Sequence, residues 1–324
     1  MNNTSVKNKL PLIILTGPTA AGKTGLSIKL AKKIDGEIIS ADSMQVYRGM
    51  DIGTAKISRE EMQGVPHHLI DILDPHENFD VTVFQKLAMQ AAEDICSRGK
   101  IPILAGGTGF YIQALLYGID FTEEADPSIR KELEELAETE DGRSELVSRL
   151  RAVDPKAFET IHPNNTRKVI RALEFYMIHQ QPISGHNENE RKKEAVFDSR
   201  YYVLTMDRGR LYERINRRVD LMLEQGLVDE VKGLRDMGLD ESYVSMQGIG
   251  YKEILEYLEG KTDLDTAVEK LKQNTRHFAK RQLTWFRRER DVIWLEKEKF
   301  EDDEAILSFI AARVRYPAPP DMII

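Results

Sequence analysis

The fold is decided by one stretch, LIILTGPTAAGKT, which runs from Leu12 to Thr24 in a chain of 324 residues. Its first four residues form a continuous apolar run, which is typical of a buried parallel strand. The rest contains the pattern G-x-x-x-x-G-K-[ST], after which Leu26, Leu30 and Ile34 recur four positions apart on one helical face. A glycine-rich loop between a strand and a helix wraps its backbone N–H groups around a phosphate. The stretch therefore predicts a polyphosphate-binding loop.

Each part of this loop has an expected role. The glycines let the backbone approach a phosphate, Lys23 neutralises the outer phosphate oxygens, and the Thr24 hydroxyl holds Mg²⁺. The predicted phosphate-binding residues are Gly17, Pro18, Thr19, Ala20, Ala21, Gly22, Lys23 and Thr24. The motif indicates a polyphosphate ligand, but it does not indicate the reaction.

Strand and helix signals alternate through the first third of the chain. Apolar runs at residues 37–40, 68–72 and 101–104 predict further strands, with amphipathic helices between them. This alternation favours an α/β fold, with a P-loop NTPase-like parallel sheet covered by helices on both sides. Strand signals stop near residue 120 and return at residues 201–206, and a long helix is predicted from Asp263 to Arg288.

We therefore predict three segments. Residues 1–119 form the first part of the core, residues 120–199 form a mainly helical insertion, and residues 200–324 complete the core with a basic C-terminal helix. Within the insertion, residues 181–194 are polar and charged and are expected to form a loop.

Composition excludes several classes of protein. Hydrophobic residues make up 41% of the chain and charged residues 31%, which is typical of a globular protein. No apolar run approaches the roughly 20 residues of a membrane span, so we expect no membrane partner. Cys96 is the only cysteine, which excludes a disulfide framework and favours a cytoplasmic location. The formal charge of −8 argues against indiscriminate binding of nucleic acid but permits a local basic surface.

Two further strand ends carry candidate functional residues. Asp42 follows the second predicted strand and should face the phosphate site, because ligands of open α/β sheets bind beyond the carboxyl ends of the strands. It can accept a proton from a nucleophile, act as an outer partner of Mg²⁺, or simply cap a helix. The turn Gly106-Gly107-Thr108-Gly109 follows another strand. It either approaches a ligand closely or is a plain strand–helix turn.

Basic residues cluster in two places. Arg214 and Arg218 lie one helical turn apart, with Arg217 beside the same stripe, and guanidinium groups suit pyrophosphate oxygens. The segment from Arg276 to Arg288 contains five Lys or Arg residues and no acidic residue. On a helix it forms a basic stripe that fits a sugar–phosphate backbone. Surface solvation and an ordinary amphipathic helix are the competing interpretations.

Taken together, these motifs closely resemble the bacterial tRNA dimethylallyltransferases, also called tRNA isopentenyltransferases. The most specific matching stretches are DSMQVYRGMDIGTAK at residues 42–56 and KRQLTWFR at residues 280–287. Further matches are the phosphate-binding loop, His67-His68-Leu69-Ile70-Asp71, Gly106 to Gly109, and Arg171-Ala172-Leu173-Glu174. They span nearly the whole chain.

The resemblance implies a two-lobed, monomeric enzyme that moves a dimethylallyl group from dimethylallyl pyrophosphate to adenosine in the anticodon stem-loop of tRNA. It implies that the loop at residues 17–24 binds the donor, with Thr24 on Mg²⁺ and Arg214 or Arg218 on the diphosphate. Asp42 is similar to the family aspartate that engages the adenine amine, and Thr108 to the residue beside the diphosphate and adenine. Lys23 and Thr24 complete the catalytic set.

The resemblance also implies a set of residues that contact tRNA. These are Asp42, Ser43, Met44, Gln45, Thr108, Arg130, Thr166, Arg167, Lys168, Val169, Ile170, Gln247, Gly248, Ile249, Gly250, Tyr251, Lys252, Lys280, Arg281, Gln282, Leu283, Thr284, Trp285, Phe286 and Arg287.

Three alternative functions share part of this pattern. A P-loop kinase of a small metabolite would need the same loop and an aspartate, but it does not explain the basic helix or the helical insertion. An enzyme that prenylates free adenine nucleotides would not need a tRNA-binding lobe. The third alternative is a non-catalytic RNA-binding protein, which does not explain Asp42 beside an intact Lys23 and Thr24.

Overall fold

The computed structural model describes residues 9–121 and 127–314. The chain divides into two compact units. The first unit combines Met1–Gly118 with Ala195–Ile324, and the second unit is Ile119–Glu194.

The first unit contains the sheet and most of the helices. Its strands are β1 (Pro11–Thr16), β2 (Gly36–Ala41), β3 (His67–His68), β4 (Ile101–Gly106), β5 (Asp198–Thr205) and β6 (Val292–Glu296). Its helices are α1 (Lys23–Ile34), α2 (Val81–Ser97), α3 (Gly109–Tyr117), α9 (Arg208–Glu224), α10 (Leu227–Asp236), α11 (Tyr251–Leu258), α12 (Leu264–Phe286) and α13 (Asp303–Ala311). The second unit contributes α4 (Pro127–Leu136), α5 (Glu140–Val153), α6 (Pro155–Thr160), α7 (Thr166–His179) and α8 (Ile183–Lys192).

All six strands lie in one parallel sheet in the order β3-β2-β4-β1-β5-β6. Successive side chains of β1 point to opposite faces of this sheet. Leu12 and Ile14 enter one apolar core, whereas Ile13 and Leu15 enter a second core on the other face. A strand that is buried on both faces reads as a continuous apolar run. The predicted α/β fold with a parallel sheet is confirmed.

The third strand is shorter than predicted. An apolar run at residues 68–72 suggested a strand, but β3 contains only His67 and His68. The backbone then turns, because Leu69 and Asp71 both have positive φ, at 63° and 55°. Residues in that region of φ cannot continue a pleated strand. The prediction for residues 69–72 was wrong because apolarity alone does not reveal a turn.

The second unit is helical and has its own core. Leu133, Leu146, Leu150 and Leu173 are among the side chains buried there. The segment that was expected to be a loop at residues 181–194 instead contains α8. Asp154 anchors the start of this polar helix, because its carboxylate accepts hydrogen bonds from the backbone N–H and the hydroxyl of Ser184.

Within the described ranges, none of the helices combines the length and apolar character needed to cross a membrane.

Candidate active site

Three loops of the first unit start side by side at the carboxyl edge of the sheet. Thr16 at the end of β1 pairs with Gly106 of β4, and Gly106 pairs with Ala41 of β2. The next residues along these strands are Gly17, Gly107 and Asp42. The strand register therefore brings the phosphate-binding loop, the glycine turn and the candidate aspartate together, as their positions after strands predicted.

The phosphate-binding loop needs its glycines for steric reasons. Gly17 has a φ of 149°, and a Cβ there would lie 2.2 Å from the carbonyl oxygen of Leu204. Gly22 precedes α1 with a φ of 95°. Glycine is the residue that adopts such conformations at little cost. The loop therefore presents backbone N–H groups at the N-terminus of α1, where anions are favoured.

Lys23 is folded back onto the loop. Its ammonium group donates hydrogen bonds to the carbonyl oxygens of Gly17 and Pro18, at 2.9 and 2.8 Å. Burial, with a further contribution from the nearby Arg218 charge, lowers the pKa of Lys23 to about 8. An anion bound in the loop would favour the charged ammonium and raise this pKa again. The geometry thus provides a cation that is poised for a phosphate.

Asp42 holds a tight turn as well as facing the site. Its Oδ1 atom accepts hydrogen bonds from the backbone N–H of Met44 at 2.9 Å and of Gln45 at 3.4 Å. The residues that follow form turns rather than a helix, so Asp42 does not cap a helix. The turn fixes the direction of the carboxylate, and this side chain lines two neighbouring cavities.

These two cavities meet at the loop. The first, of about 100 Å³, is lined by the phosphate-binding loop and by polar side chains that include Thr24 and Ser27. The second, of about 410 Å³, has apolar walls that include Ile215, Val219 and Leu271. Seven residues line both cavities, namely Thr19, Asp42, Thr54, Gly107, Arg218, Phe278 and Gln282. A polar phosphate site therefore opens directly into an apolar chamber, and Asp42 lies at the junction.

Arginines of α9 close the outer side of the loop. Arg214 Nε donates to the carbonyl oxygen of Ala20 at 2.8 Å, and Arg218 Nη1 contacts Thr19 Oγ1 at 3.4 Å. Both guanidinium groups line a third cavity, of about 420 Å³, together with Arg217, Lys23 and Thr24. Burial is the largest influence on the pKa of Arg218 and lowers it. The two arginines predicted to hold a diphosphate thus both contact the loop.

Gln282 joins two of the loops. Its Oε1 atom accepts a hydrogen bond from the N–H of Thr19, and its Nε2 atom donates to the carbonyl oxygen of Gly107, both at 2.9 Å. The side chain is buried, although α12 also carries exposed basic residues. The family resemblance assigns Gln282 to the tRNA, and the structure places its amide at the phosphate-binding loop.

The first cavity offers suitable groups for Mg²⁺. Thr24 supplies a hydroxyl and Asp42 a carboxylate, and magnesium in phosphate sites takes one or two protein ligands and completes its shell with phosphate and water. His67 lines the same cavity, and its buried Nε2 atom has no hydrogen-bond partner in the described part of the chain. Nδ1 lies 2.8 Å from the carbonyl oxygen of Val65, so Nδ1 carries the proton and donates it in that hydrogen bond. Nε2 can then accept a hydrogen bond from a water molecule.

Comparison with models of known protein families shows which family this chain matches. A family model described as IPP transferase matches residues 45–289, three quarters of the chain. The chain belongs to the IPP transferase family. A second family model, described as isopentenyl transferase, matches residues 10–76 and so includes the phosphate-binding loop and Asp42.

Individual members of the family match over most of the length of this chain. A tRNA dimethylallyltransferase of Lachnoclostridium phytofermentans is 58% identical, over 92% of this chain and 95% of the relative. One from Acetivibrio thermocellus is 52% identical, over 91% of this chain and 95% of the relative. The family resemblance inferred from the sequence is confirmed.

Solved structures are similar as well. The tRNA isopentenylpyrophosphate transferase of Bacillus halodurans is 47% identical, with a TM-score of 0.70, covering 94% of this chain and 96% of that one. A eukaryotic dimethylallyltransferase, solved acting on tRNA, is 34% identical with a TM-score of 0.75. The match to it covers 88% of this chain and 73% of that chain.

Several residues that the family resemblance assigned to tRNA surround the second cavity. They are Ser43, Met44, Thr108, Gln247, Gly248, Ile249 and Tyr251. Gly248 packs against Met44, because a Cβ at position 248 would lie 2.7 Å from Met44 Cε. Gln45 lies in the first cavity instead, where its Nε2 atom donates to the carbonyl oxygens of Thr54 and Ala55. Lys252 is exposed on α11.

The basic end of α12 has two faces. Lys280, Arg281, Thr284 and Arg287 are exposed, whereas Gln282 and Phe286 are buried. Leu283 packs beside the small core that contains Leu211 and Ile215. Trp285 contacts Gly109 and lines a surface cavity of about 370 Å³ together with Lys280, Arg281 and Thr284. The helix therefore presents cations outward and contacts the active site inward.

In the second unit, the predicted tRNA residues differ in exposure. Arg167 and Lys168 are exposed at the start of α7, and Thr166 is half-buried. Val169 and Ile170 are buried in the core of this unit, so their side chains serve packing. Arg130 forms ion pairs with Glu134 and with the buried Glu174, at 3.1 and 3.2 Å.

Three residues that shape the site were not predicted from the sequence to belong to it. Thr54 lines both main cavities, Phe278 does the same, and Glu230 holds the segment that carries Thr54. Thr54 lies within residues 42–56, the stretch that most specifically resembles the family, so the sequence contained a signal that could have placed Thr54 at the site. Glu230 lies in an ordinary charged helix, where no pattern distinguishes it from a solvent-exposed residue.

Proposed function

We propose that this protein transfers a dimethylallyl group from dimethylallyl pyrophosphate to the exocyclic amine of the adenosine next to the anticodon in tRNA, releasing pyrophosphate. The observation that carries the proposal is the junction of a polar phosphate cradle with an apolar chamber, with Asp42 lining both. A diphosphate with a short hydrocarbon tail matches this arrangement. The tRNA dimethylallyltransferases that are more than half identical to this chain support the choice of acceptor.

The donor would lie with its diphosphate in the loop at residues 17–24. Lys23, Arg214 and Arg218 surround that loop and would offset the charge of the leaving pyrophosphate. Cations and N–H dipoles that are fixed before the reaction stabilise developing charge without reorganisation. Mg²⁺, held by Thr24 with Asp42 nearby, would add positive charge at the diphosphate when bound.

The acceptor amine is a weak nucleophile, because its lone pair is delocalised into the adenine ring. The allylic carbon of the donor compensates, since positive charge there is shared with the double bond. As the new carbon–nitrogen bond forms, the carbon–oxygen bond to pyrophosphate breaks and the nitrogen loses one proton. Asp42 lies at the junction and would accept this proton, a contribution of about 10²–10⁴-fold in rate for a positioned base.

The adenine must leave its stack to reach Asp42. We propose that the base turns into the second cavity and there meets the dimethylallyl tail, which extends from the loop side past Asp42, as in enzymes that act on extruded bases. The exposed cations of α12, with Arg167 and Lys168 of the second unit, would contact the tRNA backbone. We also propose that the protein works as a monomer in the cytoplasm, where its tRNA substrate is found.

One assay tests the proposal against its rivals. The protein is incubated with Mg²⁺, dimethylallyl pyrophosphate and either tRNA, AMP or ATP, and the nucleosides are analysed by mass spectrometry. We expect an added dimethylallyl mass on one adenosine of the tRNA anticodon loop. Modified AMP would support prenylation of free nucleotides, and release of ADP with a small-molecule acceptor would support a kinase. Unmodified tRNA would overturn the proposal.

A further inference from the structure

One wall of the second cavity belongs to a segment with no role in the mechanism above. Gly53, Thr54 and Ala55 line this cavity, and Thr54 also lines the phosphate cavity. They belong to the specific stretch at residues 42–56, which the proposed function explains only at its start. We define residues Asp51–Ala55 as the wall segment.

A single carboxylate holds three consecutive N–H groups of the wall segment. Oε2 of Glu230 accepts hydrogen bonds from the backbone N–H of Asp51 at 2.9 Å and of Ile52 at 2.7 Å. Oε1 accepts one from the N–H of Gly53 at 3.0 Å. Hydrogen bonds between a carboxylate and backbone N–H groups are among the stronger ones in proteins. Glu230 comes from α10, so a distant part of the chain determines the shape of this wall.

Tyr251 closes the arrangement from a second helix. Its hydroxyl donates to Oε1 of Glu230 at 2.6 Å, and its ring is buried. A Cβ at Gly53 would lie 2.6 Å from this ring, so only glycine allows the wall segment to approach it. Each oxygen of Glu230 thus accepts two hydrogen bonds, and the chain folds closely over Tyr251.

The other end of the wall segment is held too. Gln45, which follows the Asp42 turn, donates to the carbonyl oxygens of Thr54 and Ala55 at 3.2 and 3.4 Å. The Thr54 hydroxyl donates to the carbonyl oxygen of Met50 at 2.7 Å. The wall segment is therefore anchored at one end to Glu230 and at the other to the turn that orients Asp42.

We infer that Glu230 is a positioning residue for the acceptor, because it fixes the wall segment against which the tRNA adenosine lies when its amine faces Asp42. The inference rests on the proposed function. It assigns the wall segment to the acceptor because Met44 and Gln247, which the family resemblance places at tRNA, line the same cavity. Glu230 acts through the backbone that it holds rather than by touching the reacting atoms.

The test uses Glu230→Gln, which keeps the size of the side chain but places an amide donor where a carboxylate oxygen now accepts two hydrogen bonds. We expect kcat/KM for tRNA to fall by about 10- to 100-fold, because small displacements of a substrate cost this much in rate. The KM for dimethylallyl pyrophosphate at saturating tRNA should change far less, since the diphosphate is bound by the loop at residues 17–24, which the substitution does not touch. Tyr251→Phe removes one donor, keeps the ring against Gly53, and should give a smaller loss in the same direction.

Asp80→Asn is the matched control. Oδ1 of Asp80 accepts hydrogen bonds from the N–H groups of Thr82 and Val83, both at 2.9 Å, at the start of α2. The same carboxylate-to-amide change there should leave both kinetic constants unchanged. Hydrogen exchange gives a second measurement: the amides of residues 51–53 should exchange faster in Glu230→Gln, while those of β1 and β4 stay protected.

Each outcome decides the inference. If the amides of residues 51–53 exchange faster but kcat/KM for tRNA is unchanged, the wall segment does not position the acceptor. An equal loss in Asp80→Asn would mean that general destabilisation is responsible. If Glu230→Gln fails to fold, Tyr251→Phe decides by the same kinetic comparison. Wild-type protein without transferase activity would contradict the proposed function itself, and exchange at residues 51–53 would still report whether Glu230 holds the segment.

Discussion

The Asp42 carboxylate has a structural task in addition to the chemical one proposed for it. Oδ1 fixes the turn at residues 43–45 through two backbone N–H groups, so removal of the whole side chain would disturb both functions. A conclusive substitution must therefore keep the turn and remove the charge. Asparagine does this, because its carbonyl oxygen can accept the same two hydrogen bonds while its amide cannot accept a proton from the amine.

Asp42→Asn should lower kcat by about 10²–10⁴-fold, the usual contribution of a general base. The KM for the donor should change little, because the loop at residues 17–24 is intact. Single-turnover rates with saturating tRNA and donor measure the effect. Asp74→Asn is the control, since Asp74 also accepts a backbone N–H at a turn, from His76, and lines none of the cavities around the active site and α12. Unchanged turnover in Asp42→Asn would remove Asp42 from the mechanism.

The contact between α12 and the turn after β4 depends on two glycines. A Cβ at Gly107 would lie 2.2 Å from Gln282 Nε2, and a Cβ at Gly109 would lie 2.3 Å from Trp285 Cδ1. Gln282 and Trp285 are three positions apart and thus neighbours on one helical face. One turn of α12 therefore rests directly on the glycine backbone, which links the helix to the phosphate-binding loop through Gln282.

Gly109→Ala should reduce stability and activity together. The ring of Trp285 is rigid and large, so α12 must move to admit the methyl group, and overpacking of this kind costs about 1–3 kcal/mol. Chemical denaturation measures the loss of stability, and the KM for the donor should rise because Gln282 moves with the helix. Gly233→Ala is the control, because a Cβ there meets nothing within 4 Å and Gly233 lies in α10. Alanine at that helical position should stabilise by about 0.5–1 kcal/mol. A Gly109→Ala protein of wild-type stability would contradict the proposed close contact.

A cluster of partly exposed basic side chains surrounds the buried Glu37 at the opposite end of β2. The carboxylate of Glu37 is almost fully buried and accepts hydrogen bonds from Arg98, with Nη2 at 2.8 Å, and from His68, with Nε2 at 2.9 Å. Lys100 lies 3.3 Å away. The hydrogen bonds from Arg98 are the main reason that the pKa of Glu37 falls from its ordinary value of 4.5 to about 2.

A depressed carboxyl pKa links this cluster to stability at acidic pH. The contribution of Glu37 is fully present above pH 4.5, the unfolded value, and is lost as the pH falls toward about 2. We expect it to be on the order of 1–3 kcal/mol, reduced from the full value because Arg98 is half exposed to solvent. Urea denaturation of wild type and Glu37→Gln from pH 7 to pH 3 measures it. The difference between the two proteins should shrink with falling pH, and a constant difference would show that proton binding to Glu37 is not the cause.

The features found from the sequence are those with local signals. The phosphate-binding loop, Asp42 and the turn at Gly106 each follow a buried strand, so their meeting at one sheet edge could be predicted from topology alone. The end of β3 could not be predicted, because it depends on the positive φ angles of Leu69 and Asp71, and an apolar run in the sequence does not reveal backbone angles. The burial of Gln282 and the hydrogen bonds from backbone N–H groups to Glu230 could not be predicted either, because they join distant parts of the chain. Gln282 and Gly107 are 175 positions apart, and Glu230 and Gly53 are 177 positions apart.

Charge is distributed very unevenly over the protein. The chain carries a formal charge of −8, yet Lys280 and Arg281 of α12 and Arg287, directly after it, are exposed in a segment without acidic residues. The net negative charge of such a protein repels nucleic acid in general, whereas we expect the basic patch to attract it at one place. Specific placement of a few cations then matters more than net charge.

Affinity for tRNA should therefore fall steeply with salt, because each phosphate contact releases counterions. Replacing Lys280 and Arg281 by alanine should weaken binding and reduce the slope of log K against log salt by about one per residue. Filter binding at several salt concentrations measures both quantities. Lys32→Ala in α1 serves as the control, since its ammonium group bonds to Gln63. A wild-type affinity that is flat between low and moderate salt would contradict the assignment of α12 to the tRNA backbone.

The chain leaves the first unit and returns to it at nearly the same point. The N–H of Val196 donates to the carbonyl oxygen of Leu116 at 2.9 Å, on either side of the unit Ile119–Glu194. A segment whose two ends meet can be exchanged without stretching the remaining chain, and insertions are tolerated at such places. We therefore expect that a short glycine linker can replace the helical unit without disturbing the sheet and its phosphate-binding loop. If this unit contacts tRNA as proposed, exchanging it for the same unit of a relative should change which RNAs are modified.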